Sequence, residues 1–384
     1  MPRFTCALAL ALLCLAAMGQ RSLGIAPPTG PTLIKNNAAR YTRAGEWMDA
    51  HDGNIARFSP DGPFYMYAMG YTNCTEPAGL NGCADASLGN CGFRLDHTIS
   101  VFTSDTLGMG DWTYVGDALP VDARPSGIYY RPKVVYNPNT RLFVLFVNWL
   151  LNGDFSQSQY LVATSPHPVG PFTVRVERMP TRFAIGGDFA VLVDDVPLAL
   201  DSGEEYIPAY FMYTSLANGH NISTELLAPD FLSSQATHNA SLSSGFFGQT
   251  FVEAPTLFKR KGWYYAMFGQ CCCFCGQGSN IGVYAAAHPL GPWMHVSEVG
   301  TAANGTFITR AQANFVLLVT ATSPSEGAHS DAPAFIWIGD NWQSAPDGVK
   351  AHDYQYWTPL QWNESSTPPR VKALEWVDQF YVTP

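Results

Sequence analysis

The chain has 384 residues, 47% of them hydrophobic, 13% aromatic and only 14% charged, with a formal net charge of −10. That supplies a large core, and the charged fraction is low for a cytosolic protein. The negative balance and the lack of any basic stripe exclude a phosphate-tracking surface, so nucleic acid is not an expected partner.

The chain opens on MPRFTCALALALLCLAAMGQ, with Arg3, an apolar run from Ala7 to Ala17 and small residues near Gly19. This reads as a secretory signal over residues 1–19, too short in its apolar part to span a bilayer, and no later stretch is long enough either. Residues 20–45 then read as an N-terminal extension and residues 46–384 as one folded domain of a secreted, monomeric protein. Export agrees with five Asn-x-Ser/Thr sequons, at Asn73, Asn221, Asn239, Asn304 and Asn363, each a candidate glycan site. Of nine cysteines, Cys6 and Cys14 leave with the signal. The rest form two groups: Cys74, Cys83 and Cys91, then Cys271, Cys272, Cys273 and Cys275. Paired CxxC or His spacing for zinc is absent, so disulfides are expected, with the connectivity open.

Past the signal, helical periodicity is nearly absent. Short β-branched and aromatic runs, FYMYAMGY, RLFVLFVNWL, AYFMYTSL, WYYAMFG, FVLLVTA and AFIWIGD, are bounded by Gly, Pro and Asn turns, which predicts an all-β chain. A similar pentapeptide opens a strand five times: DGNIA at Asp52, YRPKV at Tyr130, DFAVL at Asp188, EAPTL at Glu253 and QANFV at Gln312. YLVATSPHPVGPF and IGVYAAAHPLGPW repeat one third-strand motif. Five units of roughly sixty residues, each a small antiparallel sheet, predict a five-bladed β-propeller.

That architecture gives the carboxylates a meaning. The first strand of each blade lines the central channel, so Asp52, Tyr130, Asp188, Glu253 and Gln312 should converge at one mouth. Gathering three carboxylates in a partly dry site is unfavourable unless chemistry or a cation needs them. Each second strand runs back to the same mouth, which predicts Tyr71, Asn148, Trp149, Tyr213 and Gln270 near the site, and both cysteine groups over that face.

At these residues the sequence resembles glycoside hydrolase family 43, and within it the exo-β-1,3-galactanase branch. HDGNI, DFAVLVDD and EAPTLFKRKGWYY match the family's three carboxylate positions, and YRPKVVYNPNTRLFVLF, FMYTSLANGHNISTELLAPDFLSS, RAQANFV and FIWIGDNW…YQYWTPLQW resemble segments of the branch. Together the matches cover nearly the whole chain after the signal. The resemblance implies Asp52 as general base, Asp188 as the residue that orients and tunes the acid, and Glu253 as general acid. In the branch, Gly stands where Asp52 is, a glutamine at the position of Gln312 activates water, and Glu stands at the positions of Tyr130 and Leu216.

Glycoside cleavage needs one protonated carboxyl at the leaving oxygen and one group activating water from the opposite face. Asp52 and Glu253, on different blades, suit an inverting reaction, with Asp188 beside Glu253 helping it keep its proton. His51, Tyr130, Arg131, Trp149, Tyr213, Gln270 and Gln312 are the expected substrate-binding residues, with Trp149 stacking on a sugar face. The expected substrate is an oligo- or polysaccharide of the β-1,3-galactan kind from a plant or alga. An arabinofuranosidase or xylosidase of the same fold and a non-catalytic sugar-binding propeller are the alternatives. No cofactor and no metal-ligand set is read from the sequence, although the family has room for a structural calcium in the channel.

Overall fold

Short apolar runs closed off by Gly, Pro and Asn leave the backbone few hydrogen-bond partners besides a neighbouring strand. The structure, a computed structural model, describes residues 30–72, 74–75, 94–270, 274–325 and 333–384, and there it is nearly all β. The helices among the described residues are 3-10 turns of three residues, and none is long and apolar enough to cross a membrane. The expected signal peptide, Asn73, Cys83, Cys91, Cys271, Cys272 and Cys273 lie outside the described residues.

Of the eight sheets among the described residues, five antiparallel ones succeed one another along the chain. Sheet I holds His51–Arg57, Phe64–Gly70, Thr98–Ser104 and Thr113–Asp117, and sheet II holds Ile128–Asn137, Leu142–Leu150, Ser158–Ser165 and Thr173–Met179. Sheet III holds Gly186–Val193, Ala209–Ser215 and Asn221–Leu226. Sheet IV holds Val252–Arg260, Trp263–Gln270, Ile281–Ala286 and Met294–Glu298, and sheet V holds Gln312–Val319, Ala334–Asn341 and Tyr354–Pro359. The first strand of each sheet touches the first strand of the next, and that of sheet V returns to that of sheet I.

The seams between sheets are where the core sits. Val101 and Leu145 fill the seam of I and II, Val162 and Phe211 that of II and III, and Met212 and Ala266 that of III and IV. Tyr265 and Trp337 fill the seam of IV and V, and Met66 and Ile336 that of V and I. At about 1.5–3 kcal/mol for each large apolar side chain removed from water, these seams fix the first strands relative to one another. The chain ends add to the last seam. Thr32–Lys35 pairs with Gln379–Thr383, Ile34 is fully buried, and Asn36 Nδ2 donates to the Trp357 carbonyl at 2.8 Å. Residues 32–36, within the expected extension, therefore pack with the folded body.

Every first strand slips register once near its start. The slips fall between His51 and Asn54, Tyr130 and Lys133, Gly186 and Phe189, Glu253 and Thr256, and Ala313 and Phe315. Such a bulge inserts one residue and re-aims its neighbours out of the strand's alternation. Asp52, Arg131 and Ala254 sit in these bulges at φ of 60°, 54° and 58°. The bulge also corrects the alignment of the repeat. In the first four sheets the residue paired just before the slip is His51, Tyr130, Gly186 and Glu253, so Asp52 stands one place later than expected and Asp188 two.

Candidate active site

The bulged ends open into a cavity of about 530 Å³ whose lining includes Asp52, Tyr130, Arg131, Asp188, Glu253 and Gln312. All three expected carboxylates are thus at one cavity, contributed by sheets I, III and IV. Local sequence explains how they get there. A Cβ on Gly53 would lie 1.5 Å from the Tyr67 carbonyl oxygen, so only glycine lets the strand close behind Asp52. A Cβ on Gly186 would lie 2.2 Å from the Tyr160 hydroxyl oxygen and 2.3 Å from its ring, and that tyrosine hydroxyl donates to the Gly187 carbonyl at 2.8 Å, pinning the chain that presents Asp188.

Arg131 ties the carboxylates together. It is almost fully buried, its Nε lies 2.7 Å from Asp188 Oδ1, its Nη2 lies 3.4 Å from Asp52 Oδ1, and its Nη1 donates to the Ala313 carbonyl at 2.8 Å. One guanidinium on sheet II thereby bridges sheets I, III and V. A buried charge of this kind is tolerable only because it is paired and hydrogen-bonded. Gln312 forms the second bridge: its Nε2 lies 3.3 Å from Asp188 Oδ2 and 3.4 Å from Glu253 Oε1. The Trp342 indole N–H donates to Gln312 Oε1 at 2.9 Å, and because an indole only donates, the amide must turn its nitrogen toward the two carboxylates. Asp188 thus meets Glu253 through the Gln312 amide, where the sequence suggested a direct neighbour.

Beneath this lies a buried layer that sequence reading missed. Asp340 accepts from the Asp52 amide at 2.6 Å and from Asn314 Nδ2 at 2.8 Å, and lies 3.6 Å from His51 Nδ1. Burial works against charge on His51, but Asp340, Asp49 and Asp353 outweigh it and lift its pKa to about 9, while burial of Asp340 is outweighed by His51 and Asn314, so its carboxyl is held below the ordinary range. Burial raises Asp52 to about 6, with Arg131 opposing and the negative charges of Asp340 and Asp188 adding to it. Lys133, whose Nζ donates to the Gly53 and Asn314 carbonyls at 3.3 and 2.9 Å, is brought down to about 7 by burial and by Arg131. With Arg131 and Lys133 in the channel, a calcium there would face two cationic groups, so these residues do not suit one. Among the described residues no group of three or more His, Cys, Asp or Glu side chains is arranged to hold a metal ion.

Four expected substrate contacts lie elsewhere. His51 is fully buried below the cavity as the partner of Asp340. Trp149 points into the seam of sheets I and II, donates to the Ser126 carbonyl at 3.2 Å and carries the Arg178 guanidinium over its ring. Tyr213 is buried in the seam of II and III, its hydroxyl donating to Glu225 at 2.5 Å. Gln270 is exposed on a separate shallow depression beside Val252 and Phe268. Proximity to the right strand end held for all of them, but the bulges set which face looks into the cavity. Tyr71 does line it, and Asn148 sits behind it, donating to the Gly187 carbonyl at 2.9 Å. Asp340 and Trp342 were visible only as part of GDNW; their role depends on Asp340 standing across from Gln312 in the strand pairing.

Near the mouth, Cys74 is disulfide-bonded and its carbonyl accepts from the Lys350 amide at 2.8 Å. Phe274, from the edge of the second cysteine group, lines the cavity and packs edge-on against Trp342. Of the described residues within the two groups, Phe274 is the one that borders the cavity.

No protein-family model matches the sequence, and no curated protein matches it. Solved structures do. A GH43 β-1,3-galactosidase superposes with a TM-score of 0.66 at 22% identity, over 91% of this chain and 63% of its own. An exo-β-1,3-galactanase from Clostridium thermocellum gives 0.65 at 21%, over 88% of this chain and 65% of its own. The fold is theirs. A second GH43 β-1,3-galactosidase, solved with galactodeoxynojirimycin, gives 0.63 at 19% over 89% of this chain and 99% of its own. The chain thus spans under two thirds of the first two structures and nearly all of the third.

Proposed function

We propose that the chain is a secreted glycosidase of glycoside hydrolase family 43, built as a five-bladed β-propeller and acting with inversion on a β-1,3-galactan-like polysaccharide. The observation that carries this reading is the meeting of Asp52, Asp188 and Glu253 at one cavity around Arg131 and Gln312. Glu253 is the general acid: it lies at the cavity's less buried side, held by an amide that donates to it, where a proton can pass to a leaving oxygen. Asp188, ion-paired with Arg131, lies one amide away from Glu253, across the Gln312 Nε2 that both carboxylates approach.

Asp52 is the water-activating base in this reading. With its pKa raised to about 6, it is ionised at neutral pH yet basic enough to accept a proton from attacking water. Gln312 is the competing group, but its oxygen already accepts from Trp342 and its nitrogen faces two carboxylates, which favours a positioning role. The test is a screen of purified protein on aryl galactosides, arabinofuranosides and xylosides and on β-1,3-galactan, with product anomers followed by NMR. Galactoside cleavage with inverted anomers is expected. Retained anomers would overturn the mechanism, and binding without turnover would make the protein a sugar-binding module.

A further inference from the structure

Among the described residues the exposed phenylalanines are Phe155, Phe246 and Phe251, at 43%, 39% and 61%. Single exposed apolar side chains are ordinary, but these three gather at one place. Phe155, in the turns after the second strand of sheet II, lines the cavity. Phe251 stands two residues before Glu253, and its ring lies 5.9 Å from that of His220, which also lines the cavity. Phe246 packs on Phe183 with ring centres 4.0 Å apart, and Phe183 stands two residues before Ile185 of the cavity lining. A tyrosine can keep its hydroxyl in water, whereas a phenyl ring has no such handle and gains when something covers it.

The backbone holds these rings out. Phe251 sits at φ 57°, a left-handed conformation unfavourable for a bulky residue. Its amide donates to the Gly219 carbonyl at 2.7 Å, and the next amide, of Val252, donates to the His220 carbonyl at 2.9 Å. At the other aromatic pair, the Arg182 guanidinium lies over the Phe183 ring. Its Nη1 donates to the Ala240 carbonyl at 2.7 Å and to Ser243 Oγ at 2.8 Å, tying Phe183 to the segment that carries Phe246.

The cavity itself is lined by Asp52, Arg131, Asp188, Glu253 and Gln312, groups that suit the hydroxyls of the sugar being cleaved. The buried layer of His51, Lys133 and Asp340 closes its floor, so the remainder of a sugar chain has to lie across the rim. A general acid gives its proton to the leaving oxygen, which puts the leaving sugar on Glu253's side, beside Phe251. A pyranose ring carries C–H groups on its faces, and in galactose the axial hydroxyl leaves one face distinctly apolar. Laid on a phenyl ring, that face buries apolar surface on both partners while the hydroxyls stay in water at its edge. We propose that Phe155, Phe246 and Phe251 form an aromatic rim for the part of the sugar chain outside the cavity, with Phe251 under the leaving sugar and Phe246 under a sugar farther along. The proposal rests on the hydrolase reading above and makes chain length a determinant of turnover.

The test compares methyl β-galactoside with β-1,3-linked galactose di-, tri- and tetrasaccharides, using the wild type, Phe251→Ala and Phe246→Ala. Both rings are exposed, so thermal unfolding of the variants should match the wild type. In the wild type kcat/KM should climb from the methyl glycoside to the tetrasaccharide. Phe251→Ala should lower the disaccharide value about three- to tenfold and the methyl value clearly less, and Phe246→Ala should lower the tetrasaccharide value by a similar factor and the disaccharide value clearly less. Calorimetry with the tetrasaccharide in a Glu253→Gln background, where the ligand is not consumed, should show affinity falling with loss of either ring. Turnover and affinity indifferent to chain length and to both substitutions overturn the rim alone. Binding that needs the rings, with no turnover by the wild type, overturns the hydrolase reading and supports the rim. Neither turnover nor binding of any of these sugars overturns both.

Discussion

The two ends of the same five strands differ sharply. At their bulged starts they present Asp52, Arg131, Asp188, Glu253 and Gln312 to one cavity, over a second layer of His51, Lys133 and Asp340. Toward their other ends they run in regular register and line a smaller hollow with Val191, Val193, Leu257, Phe258, Val316 and Leu318. There the main charged cluster is Lys259 with Asp194 and Asp195. A strand in strict alternation puts like positions on one face, whereas a bulge lets neighbouring residues reach the same place. Charge is concentrated where the alternation is broken, and the seams between sheets hold that arrangement together.

Substitutions can test that contrast, and the largest effect on stability is expected at Arg131. Arg131→Met leaves Asp52 and Asp188 buried without their shared cation, so unfolding titrations should show a loss of about 3–5 kcal/mol. Retained stability would mean that the carboxylates repel one another less than their burial implies.

Protonation of His51 comes next. Its folded pKa of about 9 lies above its ordinary 6.5, so the charged ring favours the fold. That stabilisation is complete below about 6.5 and is lost as pH rises through about 9, a swing of up to about 3 kcal/mol. Lys133, lowered to about 7, acts oppositely: its penalty is fully felt below 7 and fades as pH rises. The whole-protein curve therefore mixes the two, and the difference in unfolding free energy between the wild type and His51→Gln isolates the histidine. That difference should shrink between pH 7 and 9.5, and a flat difference would contradict a charged His51.

Trp342→Phe removes the N–H that orients Gln312 while leaving most of the packing against Phe274 and His51. One hydrogen bond of this kind is worth about 1 kcal/mol, so kcat should fall several-fold with KM little changed. A KM change without a kcat change would place Gln312 in substrate binding instead. The smallest effect is expected at the opposite end: Leu318→Gln, at a side chain 56% exposed, should alter stability by under about 0.5 kcal/mol and leave turnover as it was.

The contrast also explains what could be read from the sequence. The all-β character, the five strand-opening units and the convergence of Asp52, Asp188 and Glu253 follow from composition and from a repeat that survives as strand pairing. The alignment of those units did not come out right, because a bulge leaves no mark in the apolar pattern: Asp52 and Asp188 share a mouth with Glu253 without sharing its place in the strand. Trp149 and Tyr213 lie away from the cavity for a related reason, since their strands reach the mouth but their side chains turn into seams. Asp340 became visible only through its pairing opposite Gln312, a contact between residues 28 apart.

The measurement that bears most directly on the central claim is turnover by Glu253→Gln alongside sugar binding by calorimetry. The amide keeps the shape and hydrogen-bonding reach of the carboxyl but has no proton to give. Turnover should fall by about 10²–10⁴ on the wild type's own substrate while binding and thermal stability stay close to wild type. Undiminished turnover by a folded Glu253→Gln protein would contradict the account, because the acid would then have to lie elsewhere.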